Sequence, residues 1–452
     1  MNLSVDPAPP IHSEELDHIG AGMLFAENPT AYLASLRERY GDTFLVDVFG
    51  FQLFLVFSPE GLKNFYQLEE EQASFGMATF DLIRFKTPLE ILVHTDPKLF
   101  YQLLLNKKMP AYIESIDRLV DLELQRWQTG SEIDIFDAIR TLEQRVGYGL
   151  WIAEEAAADG NWQALKECFD VLSQETAFVS PTQTFETIKS GKAREKQAAA
   201  ELYELIPQIL AEHDANPDRV YSAGDFLREY FSGQEHEQVK VLNNIINANQ
   251  GFLSNLYAAI AWVLVRLAAD PGLAARVLAE AQESQGKFSG ELYSVEGLNS
   301  LVLLEQVLLE SVRLAQRSLT LRKVMQPVDF DTGDGSYRVQ PGVYITTMLS
   351  VTNSQGPELS RFDPGHYPGG KPGPELLAFG KESVSTFGHG KHACPAQRFS
   401  QHMCKIVVVK ILRRFQLKAR FEEVPEPSSR QMGGVSRPEA PVFIRLQAKD
   451  KS

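Results

Sequence analysis

The segment Thr386–Arg398 reads Thr-Phe-Gly-His-Gly-Lys-His-Ala-Cys-Pro-Ala-Gln-Arg. Two glycines precede one cysteine, and a helix-like run from Phe399 to Leu412 follows it. Glycine permits a tight turn and a close approach of the backbone to a flat ligand. A cysteine just before a helix lies where unpaired N–H groups and the helix dipole favour the thiolate. The segment is therefore suited to present one sulfur anion to a metal.

A single cysteine excludes some metals and permits others. Zinc in a structural site takes four protein ligands, and one cysteine does not make such a site. A haem iron takes one axial thiolate. The alternative is a small buried cysteine in a glycine turn. The spacing Phe-x-x-Gly-x-x-x-Cys favours the haem ligand, since 27 Phe, 31 Gly and 3 Cys in 452 residues would produce it by chance in roughly one chain in a hundred.

This spacing resembles the haem-binding loop of the cytochrome P450 family, carried by Phe387, Gly390 and Cys394. The resemblance covers nearly the whole chain. It implies a mainly helical fold with a smaller β-rich part, and haem b whose iron is bound by Cys394. We expect one cytochrome P450 domain over residues 1–452, with β structure mainly at about 43–57, 320–350 and 431–446.

Composition limits the classes of function. The chain has 44% hydrophobic and 23% charged residues, as in an ordinary globular protein, and a formal net charge of −15. An acidic chain does not attract nucleic acid. Three scattered cysteines argue against a disulfide framework. No uninterrupted apolar run reaches the roughly 18 residues of a membrane span, and no signal peptide is visible. We expect a soluble, cytoplasmic monomer with no nucleic-acid partner and no membrane span.

A second motif lies in the helix predicted from Ser300 to Arg317. Glu310 and Arg313 stand three residues apart on one helix face. Alone, such a pair is typical of a surface salt bridge. The resemblance instead implies a buried pair that supports the haem loop, with a third partner from the segment 361–367. His366 stands there where many members have arginine, and a neutral histidine is a weaker, pH-sensitive partner.

Four residues are candidates for binding the haem propionates. Arg322 follows the helix of the second motif, and a guanidinium binds carboxylate with two parallel hydrogen bonds. His392 stands where the family usually has arginine. Lys98 and Gln102 are one turn apart on a helix predicted from His94 to Ile113, in the region that supplies propionate ligands in the family. The usual Trp or Arg is missing there, so a solvated helix face is the alternative.

The longest apolar helical pattern runs from Val239 to Ala269 and contains several amide side chains. Buried polar groups need partners, so we expect this helix to form the wall of a cavity. In the family this helix crosses the oxygen-binding face of the haem, where an acid–alcohol pair delivers protons. Those positions fall at Ser254 and Asn255, which are the candidate catalytic residues. The acid is absent, and an amide replaces the alcohol.

The stretch from Glu310 to Arg322 resembles one branch of the family. That branch contains the sterol hydroxylases of bile-acid synthesis and prostacyclin synthase, and it also carries Asn in the distal helix. The function implied is a haem-thiolate monooxygenase that hydroxylates a sterol, terpenoid or fatty acid with O2 and electrons from a redox partner. The alternative is an isomerase, dehydratase or peroxygenase that acts on a lipid hydroperoxide or endoperoxide without external electrons. A non-catalytic haem or lipid-binding protein is a third possibility, opposed by the intact motifs.

A reversal of charge follows the cysteine. No acidic residue lies between Glu382 and Glu422, whereas the same stretch holds eight Lys and Arg residues. We predict that Lys391, Arg398 and Lys405 belong to a basic patch that binds an acidic ferredoxin or flavodoxin/reductase. A solvated helix face is the alternative.

Overall fold

The computed structural model describes residues 11–12, 18–173 and 181–449. Most of these residues are helical and a smaller part is in strands, so the predicted fold class is confirmed. The α-helices are α1 (His18–Glu27), α2 (Pro29–Tyr40), α3 (Pro59–Gln67), α4 (Phe75–Ile83), α5 (Pro97–Leu103), α6 (Met109–Leu124), α7 (Ile135–Trp151), α8 (Asp159–Leu172), α9 (Pro181–Lys189), α10 (Ala193–Ala215), α11 (Ala223–Phe231), α12 (Glu237–Phe252), α13 (Leu256–Ala269), α14 (Pro271–Lys287), α15 (Val295–Asn299), α16 (Val302–Ala315), α17 (Leu349–Asn353), α18 (Gly356–Ser360), α19 (Pro374–Leu377) and α20 (Gln397–Arg414).

The strands are shorter and fall in three sheets. They are β1 (Ile11–His12), β2 (Thr43–Val48), β3 (Phe51–Val56), β4 (Ala73–Ser74), β5 (Glu132–Asp134), β6 (Leu319–Val324), β7 (Val328–Asp331), β8 (Ser336–Val339), β9 (Tyr344–Met348), β10 (Phe415–Ala419) and β11 (Phe443–Ala448).

The chain forms two compact units, which are described separately. Unit 1 consists of the described residues of Met1–Phe85, Leu309–Cys394 and Pro427–Ser436. Unit 2 consists of those of Lys86–Leu308, Pro395–Glu426 and Arg437–Ser452. A single domain over the whole chain stays a prediction.

Unit 1 is built on a six-stranded sheet with the order β1-β2-β3-β9-β6-β4. Strands β2 and β3 form an antiparallel hairpin within the predicted segment 43–57, with Thr43 opposite Val56. Its turn has Phe49 and Gly50 at positive φ, 53° and 88°, the pair of left-handed residues that a tight hairpin turn requires. The Gly50 N–H also donates to Asp47 Oδ1 at 2.7 Å. The second predicted β segment, 320–350, contains most of β6 and all of β7, β8 and β9.

The third predicted β segment, 431–446, with Gly433 and Gly434 as a turn before a strand, is found in part. Strand β11 begins only at Phe443 and pairs in unit 2 with β10 and β5. Residues before it form turns and extended loop, apart from one bridge between Gln316 and Val435 in unit 1. Gly433 and Gly434 have φ of 103° and 64°, and such backbone does not continue a strand ladder.

The helix predicted from His94 to Ile113 is divided in two. Helix α5 ends at Leu103, and α6 begins at Met109 with Pro110 in its first turn. Proline lacks an N–H and has a fixed φ, so it suits the first turn of a helix and not its end. The prediction of one helix from His94 to Ile113 was wrong, because Pro110 lies in the first turn of a second helix.

The long apolar pattern of unit 2 is also interrupted. Helix α12 ends at Phe252 and α13 begins at Leu256. The N–H of Tyr257, in the first turn of α13, donates to Glu143 Oε1 of α7 at 3.0 Å. Glu143 is fully buried. A carboxylate at a helix N-terminus is stabilised by the exposed N–H groups of the first turn.

One helical stretch in the described part of the chain is long and apolar enough to cross a bilayer by length and composition. It is Glu237–Ala269, with a hydropathy of 1.6 over its best 18-residue window. The sequence analysis considered only continuous apolar runs and therefore did not identify this stretch. Its average hydropathy is high although it contains amide side chains. About two thirds of that window, 67%, is buried inside the protein, and core helices of globular proteins pass the same test. It is weak evidence for a membrane span.

The amides of α12 hold a loop rather than only lining a cavity. Asn243 Nδ2 donates to the carbonyl oxygens of Glu90 and Val93 at 2.9 and 2.7 Å, and its Oδ1 accepts from the Tyr203 hydroxyl at 2.6 Å. Asn247 Nδ2 donates to the Ile91 carbonyl at 2.7 Å. Buried carbonyl groups of an irregular loop need such partners. The expectation of a cavity wall is therefore wrong for Asn243.

We expect Asn243→Leu to lower the free energy of unfolding by about 2–3 kcal/mol, because the Glu90 and Val93 carbonyls and the Tyr203 hydroxyl each lose a hydrogen bond, with the bond from Tyr203 to the Glu90 carbonyl remaining. Asn249→Leu is the matched control on the same helix. Asn249 is equally buried, but its amide bonds only to the Ile245 carbonyl of its own helix, so its replacement should cost little. Urea unfolding of both variants measures the difference, and equal losses would contradict the loop-holding role.

Candidate active site

The cysteine loop of unit 1 is closed by backbone hydrogen bonds. The Cys394 N–H donates to the Phe387 carbonyl at 2.7 Å, and the Ala393 N–H donates to the Gly390 carbonyl at 3.2 Å. Residues Gly390–His392 form a single 3-10 turn between these contacts. The side chain of Cys394 is exposed at the end of the loop. The backbone therefore fixes the thiol position without burying it.

Two glycines make this loop possible. Gly388 and Gly390 have φ of 74° and 60°, a region that L side chains rarely adopt. A Cβ on Gly388 would lie 2.9 Å from the His392 carbonyl oxygen, and one on Gly390 would lie 3.4 Å from the Tyr66 carbonyl oxygen. Backbone conformation and steric limits thus explain why glycine occupies both positions of the loop.

A buried ion pair lies behind the loop in the same unit. Arg313 Nε donates to Glu310 Oε2 at 2.7 Å, and its second terminal nitrogen donates to Oε1 at 2.6 Å. Both side chains have no exposed surface. Arg313 also donates to the Leu359 carbonyl at 2.7 Å and to the Asn353 carbonyl. A bidentate pair with its remaining donors satisfied is the geometry in which burial of two charges is tolerated.

His366 contacts the same carboxylate. Its Nδ1 lies 2.9 Å from Glu310 Oε1, and its Nε2 lies 3.3 Å from Oε2 of Glu375. The imidazole is fully buried, whereas Glu375 is mostly exposed. The Asp363 N–H also donates to Glu310 Oε1, at 3.0 Å. The three residues that the resemblance grouped are in contact, and their role as support of the haem loop stays a prediction.

Asn353 connects the ion pair to the loop, and the sequence analysis missed it. Its Nδ2 donates to the Arg313 carbonyl at 3.1 Å and to the Ser385 carbonyl at 2.8 Å. Its Oδ1 accepts the Ser385 N–H at 2.8 Å, and the Ser385 hydroxyl accepts the Gly388 N–H at 3.0 Å. No motif marks Asn353 in the sequence, because its partners lie 32 and 40 residues away.

The two propionate candidates of unit 1, Arg322 and His392, are close enough to influence each other electrostatically. Arg322 is 1% exposed, donates to the Leu68 carbonyl at 2.8 Å and lies over the Phe65 ring. Burial lowers the pKa of Arg322, and the nearby charge of Glu70 opposes the shift. Burial also lowers the pKa of His392, and the charge of Arg322 adds to the effect. Burial therefore favours the neutral imidazole of His392.

The remaining predicted residues lie in unit 2. Lys98 and Gln102 are one turn apart on α5, with both side chains exposed. Ser254 and Asn255 lie in the interruption between α12 and α13. Asn255 Nδ2 donates to Ser254 Oγ at 2.9 Å, and the Ser254 hydroxyl donates to the Gly251 carbonyl at 3.0 Å. Their proposed roles toward haem and oxygen stay predictions.

The predicted basic patch does not include Lys405, because this residue is buried. Lys405 is 1% exposed, and its ammonium donates to Glu305 at 2.7 Å and to the Leu298 carbonyl at 2.9 Å within unit 2. A buried, neutralised lysine cannot belong to an exposed docking surface, so that assignment was wrong. Lys410 is also neutralised, by Asp117 and Asp121 at 2.7 and 2.6 Å. In unit 1, Lys391 is exposed and pairs with a glutamate.

The residues of unit 1 fit haem b. The loop presents one exposed thiol above a backbone cradle that side chains at two positions would fill. Arg322 is a buried guanidinium that has no carboxylate within ion-pair distance among the described residues, and a propionate would supply one. Across the same described residues, no group of three or more His, Cys, Asp or Glu side chains could hold a metal ion. Cys394 would bind the iron, and Arg322 with His392 would bind a propionate.

We expect Arg313→Gln to lower the free energy of unfolding by about 3–5 kcal/mol, because it leaves the buried charge of Glu310 uncompensated. Arg361→Gln is the matched control, since Arg361 pairs with Glu358 at 3.0 Å on the surface and such pairs contribute at most about 1 kcal/mol. Denaturant unfolding measures both variants. Similar small losses would show that the buried pair does not stabilise this unit.

We expect Arg322→Gln to accelerate haem loss by roughly 10–100-fold, since a charge-assisted hydrogen bond contributes about 1.5–3 kcal/mol. Transfer of haem to an apo-globin acceptor measures the rate. Arg338→Gln is the control in the same unit, because among the described residues Arg338 bonds to Asp329 alone, on the surface. Unchanged haem loss in Arg322→Gln would remove Arg322 from the propionate site.

Comparison with known proteins identifies the family of this chain. A family model described as cytochrome P450 matches residues 10–446. Mouse cytochrome P450 7B1 is 22% identical over 98% of this chain and 91% of its own length. Human 24-hydroxycholesterol 7-alpha-hydroxylase is 22% identical over 98% of this chain and 94% of its own length. Abscisic acid 8'-hydroxylase 2 of Arabidopsis thaliana is 23% identical, with coverage of 97% and 89%.

A solved structure shows the same fold. The retinoic acid-bound cyanobacterial CYP120A1 superposes with a TM-score of 0.73 at 17% sequence identity, covering 99% of this chain and 100% of that chain. The match of the family over nearly the whole length accounts for the cysteine loop and the helical fold together. This chain belongs to the cytochrome P450 family, the haem-thiolate oxidoreductases.

Proposed function

We propose that this protein is a monooxygenase that hydroxylates a hydrophobic small molecule with O2 and two electrons from a redox partner. One observation carries the proposal: Cys394 ends a closed loop that is linked to the fully buried pair of Glu310 and Arg313. Haem, when bound by a thiolate, supplies the activation of oxygen. The protein supplies binding, orientation and control of protons.

The substrate class we propose is a sterol or a terpenoid, with a fatty acid as the remaining member of the predicted set. Two relatives are named as hydroxylases, one of 24-hydroxycholesterol and one of abscisic acid. The resemblance of the stretch from Glu310 to Arg322 to the sterol hydroxylase branch supports the same class. Both named substrates combine an apolar skeleton with few polar groups, which a largely apolar pocket with a few placed donors recognises.

In this proposal, some residues of the chain bind haem and another forms hydrogen bonds on the oxygen side. Arg322 and His392 hold a propionate, and Cys394 provides the thiolate. By resemblance to the family we assign Asn255 to the oxygen side, where its amide would both donate and accept hydrogen bonds. An amide orients a water or a substrate oxygen but does not act as an acid at neutral pH. The protons must therefore come from water or from another part of the chain.

The absence of the family's acid–alcohol pair also favours a second function. If the substrate already contains an O–O bond, the reaction needs neither external electrons nor a proton relay. The interruption between α12 and α13 offers a hydroxyl and an amide at the two positions of the usual acid–alcohol pair, Ser254 and Asn255. A lipid hydroperoxide or endoperoxide isomerase, dehydratase or peroxygenase would fit these residues. A non-catalytic haem or lipid-binding protein would need no closed thiolate loop.

We propose an acidic ferredoxin or flavodoxin/reductase as electron donor. Lys391 is 67% exposed on its side chain and carries its ammonium on the cysteine loop of unit 1. Arg398, in unit 2, donates to Asn106 Oδ1 at 3.2 Å. Lys405 and Lys410 are neutralised by acidic partners. The proposal therefore rests on Lys391 and Arg398 rather than on the whole run of basic residues after Glu382. A cytoplasmic location and a monomeric state also stay predictions.

The deciding experiment compares two reactions of the purified haem protein on sterols, terpenoids and fatty acids. One reaction receives an electron-donor system and O2, and the other receives lipid hydroperoxides without reductant. We expect electron-dependent product that carries oxygen from labelled O2. Rapid consumption of hydroperoxide, with no electron-dependent product, would overturn the monooxygenase in favour of the second function.

Two variants complete the comparison. Cys394→Ala should abolish both reactions, because the thiolate is lost, whereas Cys168→Ala removes a buried cysteine of α8 and should retain them. Lys391→Gln should slow reduction by an acidic donor and leave hydroperoxide consumption unchanged. Equal loss in both reactions would show that Lys391 does not act through the redox partner.

A further inference from the structure

A histidine in the last turn of α10 is buried between two carboxylates of unit 2. His213 has no exposed side-chain surface. Its Nδ1 lies 2.8 Å from Oε2 of Glu155, which belongs to the 3-10 turn Glu154–Ala157. Its Nε2 lies 3.0 Å from Oδ2 of Asp225, in the first turn of α11. One imidazole therefore joins three separate elements of the chain.

Both carboxylates are held in the ionised form. Burial works against ionisation of Asp225, but hydrogen bonds from the Ser222 N–H and from Arg228 lower its pKa to about 2. Burial also works against ionisation of Glu155, but hydrogen bonds from the Asn216 amide and from the imidazole lower its pKa. Since an ionised carboxylate only accepts hydrogen bonds, each of them needs a donor from the imidazole.

A neutral imidazole cannot satisfy this geometry. It has one N–H donor and one acceptor nitrogen, so one of the two carboxylates would face a lone pair. With both nitrogens protonated, His213 donates to Glu155 on one side and to Asp225 on the other. The contacts therefore indicate a buried imidazolium with a counter-charge at each nitrogen, and burial of a charge is tolerated when it is paired in this way.

The charges around the imidazole leave one negative charge to be balanced. Asp214 and Asp225 share Arg228, at 2.6 and 2.7 Å. Arg219 also pairs with Asp214. In the described part of the chain, no Lys or Arg lies within ion-pair distance of Glu155, whose cationic partner is the imidazole. Three carboxylates thus face two guanidiniums, and the imidazolium makes the group neutral.

The other charged side chains of the neighbouring elements have partners of their own. They are Glu154 with Arg118 of α6, Glu212 of α10 with Asn161 of α8, and Glu229 of α11 with Tyr221. Arg145 of α7 donates to the Ala157 carbonyl of the 3-10 turn at 2.8 Å. From neutral pH upward, the charge of the group is therefore set by the protonation of His213.

Helix α11 connects this group to another part of unit 2. The Lys108 ammonium lies 3.1 Å from the centroid of the Phe226 ring. The Tyr230 hydroxyl donates to Oδ2 of Asp96, the N-cap of α5, at 3.4 Å. A change at the first turn of α11 therefore reaches the segment 96–108.

We propose that His213 is a pH-sensitive clasp, which holds α11 to the end of α10 and to the turn at Glu155 while both imidazole nitrogens are protonated. When the imidazole loses one proton to solvent, the freed lone pair faces an ionised carboxylate and the contact becomes repulsive. The clasp therefore stabilises unit 2 at lower pH, and its contribution is lost as the pH rises. The clasp involves neither haem nor a redox partner, so it is independent of the proposed function.

The carboxylates limit the clasp on the acid side. Their contribution is present above the ordinary range of carboxyl groups, because the pKa of each is lower in the folded protein. It is lost only as the pH falls through the lowered pKa values, about 2 for Asp225. The alkaline loss is thus the one that a measurement near physiological pH would detect.

The test combines nitrogen-15 NMR with hydrogen exchange of the purified haem protein. NMR reports the protonation of each imidazole nitrogen, and His213→Gln assigns the signal. We expect both nitrogens of His213 to be protonated at neutral pH. Exchange of the α11 amides, corrected for the intrinsic rate, should accelerate by roughly 10–100-fold as that proton is lost, because a hydrogen bond to a charged group disappears.

Two variants separate the clasp from a general effect of pH. His213→Gln should remove the pH dependence of exchange in α11, since the new side chain has no proton to lose in this range. His402→Gln is the matched control and should keep it. His402 is equally buried, with 1% exposed, but its Nε2 bonds to the Asn299 amide oxygen at 2.9 Å instead of to a carboxylate.

Glu155→Gln replaces His213→Gln if the latter does not fold. It keeps a hydrogen-bond acceptor and removes one negative charge, so α11 should loosen at a lower pH than in the wild type. A neutral imidazole at neutral pH overturns the inference. So does an imidazole that keeps both protons up to about pH 10, well above the ordinary range of histidine, or exchange in α11 that does not follow the loss of the proton.

Discussion

The buried pair of Glu310 and Arg313 is the constraint on which the candidate site depends. Two charges removed from water must satisfy each other and their remaining donors, or the unit that holds them is destabilised by several kcal/mol. Here the carboxylate also accepts from the Asp363 N–H and contacts His366, and the guanidinium donates to two carbonyls. The pair therefore joins helix α16 to the segments that precede the cysteine loop.

From this pair a short hydrogen-bonded path reaches the loop. Asn353 bonds to both Arg313 and Ser385, and Ser385 accepts the N–H of Gly388. Each bond is individually worth about 1 kcal/mol, but together they leave the loop few conformations. The positive φ of Gly388 and the contact between Cys394 and Phe387 complete the turn. Backbone hydrogen bonds and these side-chain bonds together hold the loop that carries the thiol.

Unit 2 shows how polar side chains along one apolar pattern serve different purposes. Asn243 satisfies loop carbonyls, Asn247 does the same and also lines a cavity between α7, α8 and α12, and Gln250 and Ser254 line that cavity. The interruption is stabilised by a carboxylate from another helix, Glu143. The role of a polar residue in an apolar helix therefore depends on its hydrogen-bond partner, because each buried donor or acceptor is satisfied by the group that lies opposite.

The sequence by itself determined the family and the helical fold class, and it predicts Cys394 as the thiolate ligand. These follow from contiguous residues, since Gly388, Gly390 and Cys394 lie within one loop whose sterics are local. Tertiary structure decided the roles that depend on distant partners. It buried Lys405 against Glu305 and left Lys391 exposed, although both belong to one basic run. It also brought Asn353 to the loop, because burial and hydrogen-bond partners are set by residues far apart in the chain.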